Sequence, residues 1–103
     1  MSQSAIRTNR PARASSTEHR ADTKLRLALL VQQKLLARNL GQADAAELLG
    51  LKQPKVSALV NGKLTGFSME KLMELLNKLG EDVEIKVRKA PRAAEGKIHV
   101  TAA

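Results

Sequence analysis

The chain of 103 residues has no cysteine, tryptophan or tyrosine, and Phe67 is its single phenylalanine. Without cysteine there is neither a disulfide framework nor a thiolate metal site, and a reducing cytosol suits the protein. With one aromatic residue the core must be aliphatic, and the stacking platforms that commonly hold unpaired RNA bases are missing. The two histidines, His19 and His99, lie at opposite ends and form no ligand cluster. No apolar run is long enough to span a bilayer, because Gln32, Gln33, Lys34 and Arg38 interrupt the segment from Leu25 to Leu40. Positive charge, in contrast, is plentiful. Eighteen Lys and Arg against ten Asp and Glu give a formal net charge of +8 and a pI near 10.3. That balance favours a polyanionic partner. Many ribosomal, membrane-surface and chaperone-bound proteins share it, so charge alone decides nothing.

A length near 100 residues allows one small domain with tails. Residues 1–21 hold almost no apolar side chain beyond Ile6 and are rich in Ser, Ala, Thr and Arg, with Pro11 in the middle. Such a segment cannot bury enough surface to offset its ordering entropy, and it is expected to be a disordered basic arm. Arg7, Arg10, Arg13 and Arg20 could touch phosphates, or the arm could simply be solvated. Its composition also resembles an organelle transit peptide, but it shows no apolar face at helical spacing.

Asp22 is a good N-cap residue, so a first helix is expected from about Asp22 to Asn39. Leu25, Leu29, Leu36 and Leu40 form one stripe, and Leu27, Leu30, Val31 and Leu35 widen it. One core face does not require so much apolar surface. A helix wedged between two surfaces, or one contributing to a dimer interface, would use it. Gly41 is expected to end this helix.

Gln42 to Lys63 organises the rest of the chain. A second helix fits Gln42–Leu49, with Ala46 small enough for another helix to cross closely, and Gly50 suits a left-handed turn. Pro54 suits the first position of a third helix, where its missing N–H is not needed, and Gly62 ends that helix after Asn61. Val56, Leu59 and Val60 are expected to face inward. Gln53, Pro54, Lys55, Ser57, Ala58 and Asn61 then form a short, polar or basic exposed face. This is the layout of a DNA-reading helix-turn-helix. Ser68 caps a fourth helix, with Phe67 packing on Leu72 as a hydrophobic staple. Met69, Leu72, Met73, Leu75, Leu76 and Leu79 are its apolar face, and Gly80 closes it.

The period then changes from helical to alternating. Val83, Ile85 and Val87 alternate with Glu84, Lys86 and Arg88, as in a half-buried strand. A lone strand leaves an open edge. Its partner could be a return strand around Ile98 and Val100, or the same strand of a second copy about a two-fold axis.

Gln42, Ala46, Gly50, the Val56-Ser57 pair and the Asn61-Gly62 ending resemble the Cro and phage-repressor (XRE) family of helix-turn-helix proteins. Phe67-Ser68, the Leu-rich helix and Val83–Val87 resemble a narrower branch of small bacterial regulators that includes HigA-like antitoxins. The resemblance implies a mainly α fold: a lambda-repressor-like domain of four to five helices with a short C-terminal β-strand or hairpin. Residues 1–21 would be the arm, 22–80 the DNA-binding domain and 81–103 the dimerisation element. Gly41 departs from the Ser or Thr often found before the second helix, which removes one possible phosphate contact.

By position, the resemblance implies that Gln42 anchors a phosphate at a helix N-terminus. Gln53, Pro54, Lys55 and Ala58 would occupy the major groove, with Gln53 pairing to adenine, Lys55 to guanine and Ala58 meeting a thymine methyl. Ser57, Asn61 and Lys63 would contact backbone phosphates, with Lys52 nearby. For Asn61 the plainer alternative is a helix-ending residue beside Gly62, and for Lys52 and Lys63 a solvated lysine.

The expected function is a sequence-specific repressor acting as a homodimer on palindromic double-stranded DNA, dimerised through Val83, Ile85 and Val87. Within that function, the branch implies an antitoxin that represses its own operon and neutralises a RelE-like toxin, in the cytoplasm and nucleoid. The alternatives are a stand-alone or phage-derived regulator, or a protein-interaction module on a helix-turn-helix scaffold. Catalysis is not expected. Asp44 with Glu47 and Glu70 with Glu74 are surface pairs with no nucleophile, phosphate loop or metal cluster beside them. No cofactor and no membrane partner is expected either.

Overall fold

Four helices follow one another: α1 (Ile6–Arg38), α2 (Gln42–Leu49), α3 (Gln53–Val60) and α4 (Met69–Lys78). The computed structural model describes the backbone of residues 6–91 and 95–102, and side chains from residue 21 onward within those limits. The arginines of the expected arm, and part of the 91–96 loop, therefore lie outside the described residues.

The first helix begins sixteen residues before Asp22, the expected cap. The Asp22 carboxylate accepts a 3.0 Å hydrogen bond from Arg26 Nε one turn on, and so acts within the helix rather than at its start. Scarcity of apolar residues limits packing, but Ala and Arg still favour helix locally. The helix ends at Asn39, which takes the left-handed conformation (φ 56°) and donates its N–H to Leu36 O at 3.0 Å. Gly41, expected to make that turn, instead caps α2 in the extended region (φ −73°, ψ 171°).

The core joins all four helices. Leu27, Ala28, Val31 and Leu35 of α1 meet Ala45, Ala46 and Leu49 of α2, Val56 and Leu59 of α3, and Leu72, Leu75, Leu76 and Leu79 of α4. Each fully buried leucine contributes on the order of 1.5–3 kcal/mol by leaving water. The residues expected only to widen the stripe on α1, Leu27, Val31 and Leu35, are thus the buried ones. Leu25, Leu29, Leu36 and Leu40 lie exposed on another face. Val60, expected inside, is 43% exposed and rims an apolar groove of about 240 Å³ with Leu36 and Leu40.

Ser68 caps α4 as expected, its hydroxyl accepting from Lys71 N at 3.0 Å. Phe67 before it and Leu72 after it are both buried, completing the staple. At the other end of α4, Arg38 Nη2 donates to Leu79 O at 3.0 Å and Lys34 pairs with Glu81 at 3.5 Å. Both contacts fasten α4 to α1.

Among the described residues there is no β-strand. Residues 81–90 have no ladder partner among the described residues, and a strand exists only through such a partner. Val83 and Val100 are partly buried against the core, while Ile85 and Val87 are 74% and 92% exposed. No helix among the described residues is long and apolar enough to cross a membrane.

Candidate nucleic-acid interface

The site is built on α2, α3 and the turns beside them. No side chain caps the start of α2, where exposed Gln42 is the first residue. Backbone N–H groups at such a terminus attract an anion, helped by the helix dipole. The end of α2 is closed by Gly50 at φ 68°, with Gly50 N and Leu51 N donating to Glu47 O (3.3 Å) and Ala46 O (2.9 Å). This left-handed ending satisfies two carbonyls and swings the chain into α3. From α4, Lys78 Nζ donates to Leu49 O at 3.2 Å and adds a cation to the same helix end.

Lys52, in an extended conformation, is the N-cap of α3 and accepts from Lys55 N at 2.9 Å and Val56 N at 3.2 Å. The helix starts at Gln53, one residue before the expected Pro54. Proline at the second helical position costs nothing either, because that N–H also has no partner within the helix. Val56 and Leu59 are buried, Ser57 and Ala58 are half-buried, and Gln53, Pro54, Lys55 and Asn61 are exposed. Small Ala45 and Ala46 under the crossing leave room for α3 to lie close to α2.

Gly62 (φ 75°) ends α3, with Gly62 N and Lys63 N donating to Leu59 O (3.2 Å) and Ala58 O (2.8 Å). Asn61 Nδ2 turns back to Ser57 O at 2.9 Å and to Ser57 Oγ at 3.4 Å. The plainer alternative for Asn61 is therefore present in the structure, and its amide nitrogen is engaged by the helix end. Gln32, on α1, donates through Nε2 to Leu59 O at 2.7 Å, so the last turn of α3 is pinned from behind.

Asp44 and Glu47 are exposed on α2, but beyond it, up to Phe67, the charge is of one sign. Between Gly50 and Phe67 there are three lysines and no acidic residue. The side chains of Lys52 and Lys63 are exposed and have no partner among the described residues. Lys55 differs: its ammonium donates to Gly66 O at 2.5 Å and lies 4.5 Å from the Phe67 ring centroid. Gln42, Lys52, Gln53, Pro54, Ala58 and Lys63 are each exposed or half-exposed, while Asn61 donates to Ser57.

Three contacts that shape this site have no local signal in the sequence. Gln32, Lys55 and Lys78 reach partners 27, 11 and 29 positions away. The one available hint was that Gln32 is polar inside a leucine-rich helix. Among the described residues no group of three or more His, Asp or Glu could hold a metal.

Two helices crossing over small residues, joined by a left-handed glycine turn, with a polar edge on the second, define a helix-turn-helix domain. A family model described as a helix-turn-helix domain matches residues 13–88. A solved structure described as an XRE family transcriptional regulator is 52% identical, with a TM-score of 0.81, covering 84% of this chain and 99% of its own. No curated protein matches the chain. The chain belongs to the XRE family of helix-turn-helix transcriptional regulators.

Proposed function

We propose that the protein is a sequence-specific repressor that binds a palindromic operator as a homodimer. The observation that carries this reading is the polar face of α3 flanked by unpaired Lys52 and Lys63, in a stretch with no acidic residue. Gln53 and Pro54 at the start of α3, with Ala58 one turn on, face base edges in the major groove. Lys52, Ser57, Asn61 and Lys63 hold backbone phosphates, and the uncapped start of α2 at Gln42 holds another.

One such module reads few base pairs, so two copies on a symmetric site supply specificity. Residues Val83, Ile85 and Val87 pair with the same segment of a second copy, and the strand forms only in that dimer. The alternating pattern supports this, as does the exposure of Ile85 and Val87 on a backbone with no ladder partner among the described residues. Self-pairing sets the distance and angle between two copies of α3.

The finer reading is an antitoxin that represses its own operon and binds a RelE-like toxin. It rests on the resemblance of Phe67-Ser68, the Leu-rich α4 and Val83–Val87 to the antitoxin branch. A stand-alone regulator is the alternative, and an adjacent reading frame for a small basic protein separates the two.

Selection of bound duplexes from a random pool tests the central proposal. Enrichment of an inverted repeat is the expected result. Recovery of no preferred sequence, with only salt-sensitive binding to any duplex, would leave the protein-interaction alternative in its place.

A further inference from the structure

We propose that Lys55 is a latch between the recognition helix and the loop after it, and that it stays closed on DNA instead of reading a base. The inference rests on the DNA-binding reading above but assigns Lys55 a different task from its neighbours on α3.

Three observations converge on the same contact. Lys55 Nζ donates to Gly66 O at 2.5 Å, and it lies over the face of Phe67, 4.5 Å from the ring centroid. Phe67 is 2% exposed and belongs to the core, so the ring is a fixed platform that cannot follow the lysine outward. A Cβ placed on Gly66 would stand 2.6 Å from Lys55 Nζ. The missing side chain at Gly66 is therefore what lets the ammonium approach the carbonyl. A charged donor, a carbonyl and an aromatic face satisfy one another, and each loses that partner if the lysine swings away.

The consequence is mechanical. Lys55 lies in the first turn of α3, beside Gln53 and Pro54, whereas Gly66 and Phe67 end the loop that carries Lys63 and Thr65. Phe67 N–H donates to Leu64 O at 2.9 Å, so this loop is itself a closed turn. The latch ties the base-facing end of α3 to the phosphate-facing loop, and the two approach the duplex as one body. Lys55 is a positioning residue in this scheme.

The full-length protein tests this by NMR. Lys55 Nζ lies over the Phe67 ring, so the Hε protons on the adjoining carbon are expected to resonate upfield in the free protein, and Phe67→Leu is expected to abolish that shift. On titration with the duplex selected from a random pool, the upfield shift is expected to persist. Its collapse toward the ordinary lysine position would overturn the proposal, since the ammonium would have left the ring. Absence of an upfield shift in the free protein would overturn it as well. Affinity gives an independent readout. Lys55→Met should weaken selected and random duplexes by the same factor, about two- to fivefold. It should leave the salt dependence and the base preference unchanged, and Lys55→Arg should restore binding. A salt slope lower by about one, or lost preference at a single base, means that Lys55 reaches the DNA and refutes the latch. If no duplex binds at all, the repressor reading fails, while the Hε shift of the free protein still decides whether the latch exists.

Discussion

The side-chain amide of Gln32 donates to the carbonyl of Leu59 across 2.7 Å, joining the C-terminal part of α1 to the last turn of α3. The carbonyl also accepts from Gly62 N at 3.2 Å, so one oxygen serves both the helix ending and the brace behind it. Replacing Gln32 with Leu removes a part-buried donor and loosens the recognition helix from the scaffold. The expected loss is about 1–2 kcal/mol of unfolding free energy, measured by urea denaturation. Operator affinity should fall as well, without change in the preferred sequence.

Gly50 concentrates two demands at the turn between α2 and α3. Its φ of 68° is unfavourable for any residue with a β-carbon, and a Cβ there would stand 2.9 Å from Lys78 Nζ. Gly50→Ala is therefore expected to cost about 1–2 kcal/mol from the backbone alone, plus whatever is lost when Lys78 is pushed off Leu49 O. Lys78→Met in the same background separates the contributions. If Gly50→Ala melts like the parent protein, the left-handed turn is not as described.

Lys63 and Gln53 should fail in different ways if the proposed contacts hold. Lys63→Ala removes a phosphate contact, so it weakens all duplexes alike and lowers the salt slope by about one. Gln53→Ala loses roughly 1–3 kcal/mol at one base position and relaxes preference there. Fluorescence anisotropy over a salt series, on selected and random DNA, distinguishes the two. Identical behaviour would refute the assignment of contacts.

Ile85 is 74% exposed, so changing it should barely alter the stability of a single copy. In a strand-paired dimer, Ile85→Lys places two charges at the interface instead of two apolar side chains. Light scattering at micromolar concentration should then show a monomer, with weaker binding to the palindrome. A parent protein that is itself monomeric, or unchanged operator affinity in the variant, would remove the C-terminal segment from the dimer.

Much of the site is legible in local chemistry. Pro54, Gly50, Gly62 and Ser68 mark boundaries because their backbone requirements act over one or two residues, and the observed helix ends lie within two residues of those marks. The amphipathic face of α4 is equally plain: Leu72, Leu75, Leu76 and Leu79 are buried as their spacing demands. The beginning of α1 is not legible in the same way. Asp22 can cap a helix or pair with Arg26 inside one, and the residue type is the same in both cases.

Small residues, glycine turns and a proline near a helix start encode the helix-turn-helix within about twenty consecutive positions. Past Gly50 the same stretch carries lysines and no acidic residue, whereas Asp44 and Glu47 stand on α2. Which face of α1 becomes the core is set by how the other helices pack on it. Leu25, Leu29, Leu36 and Leu40 have the same chemistry and period as Leu27, Val31 and Leu35, and only the position of α4 chooses between them. Likewise, only the fold brought Lys55 to Phe67 and Gln32 to Leu59, because contacts across a loop or between helices have no period to announce them. Local conformational preferences act along the chain, whereas burial depends on where the other helices stand.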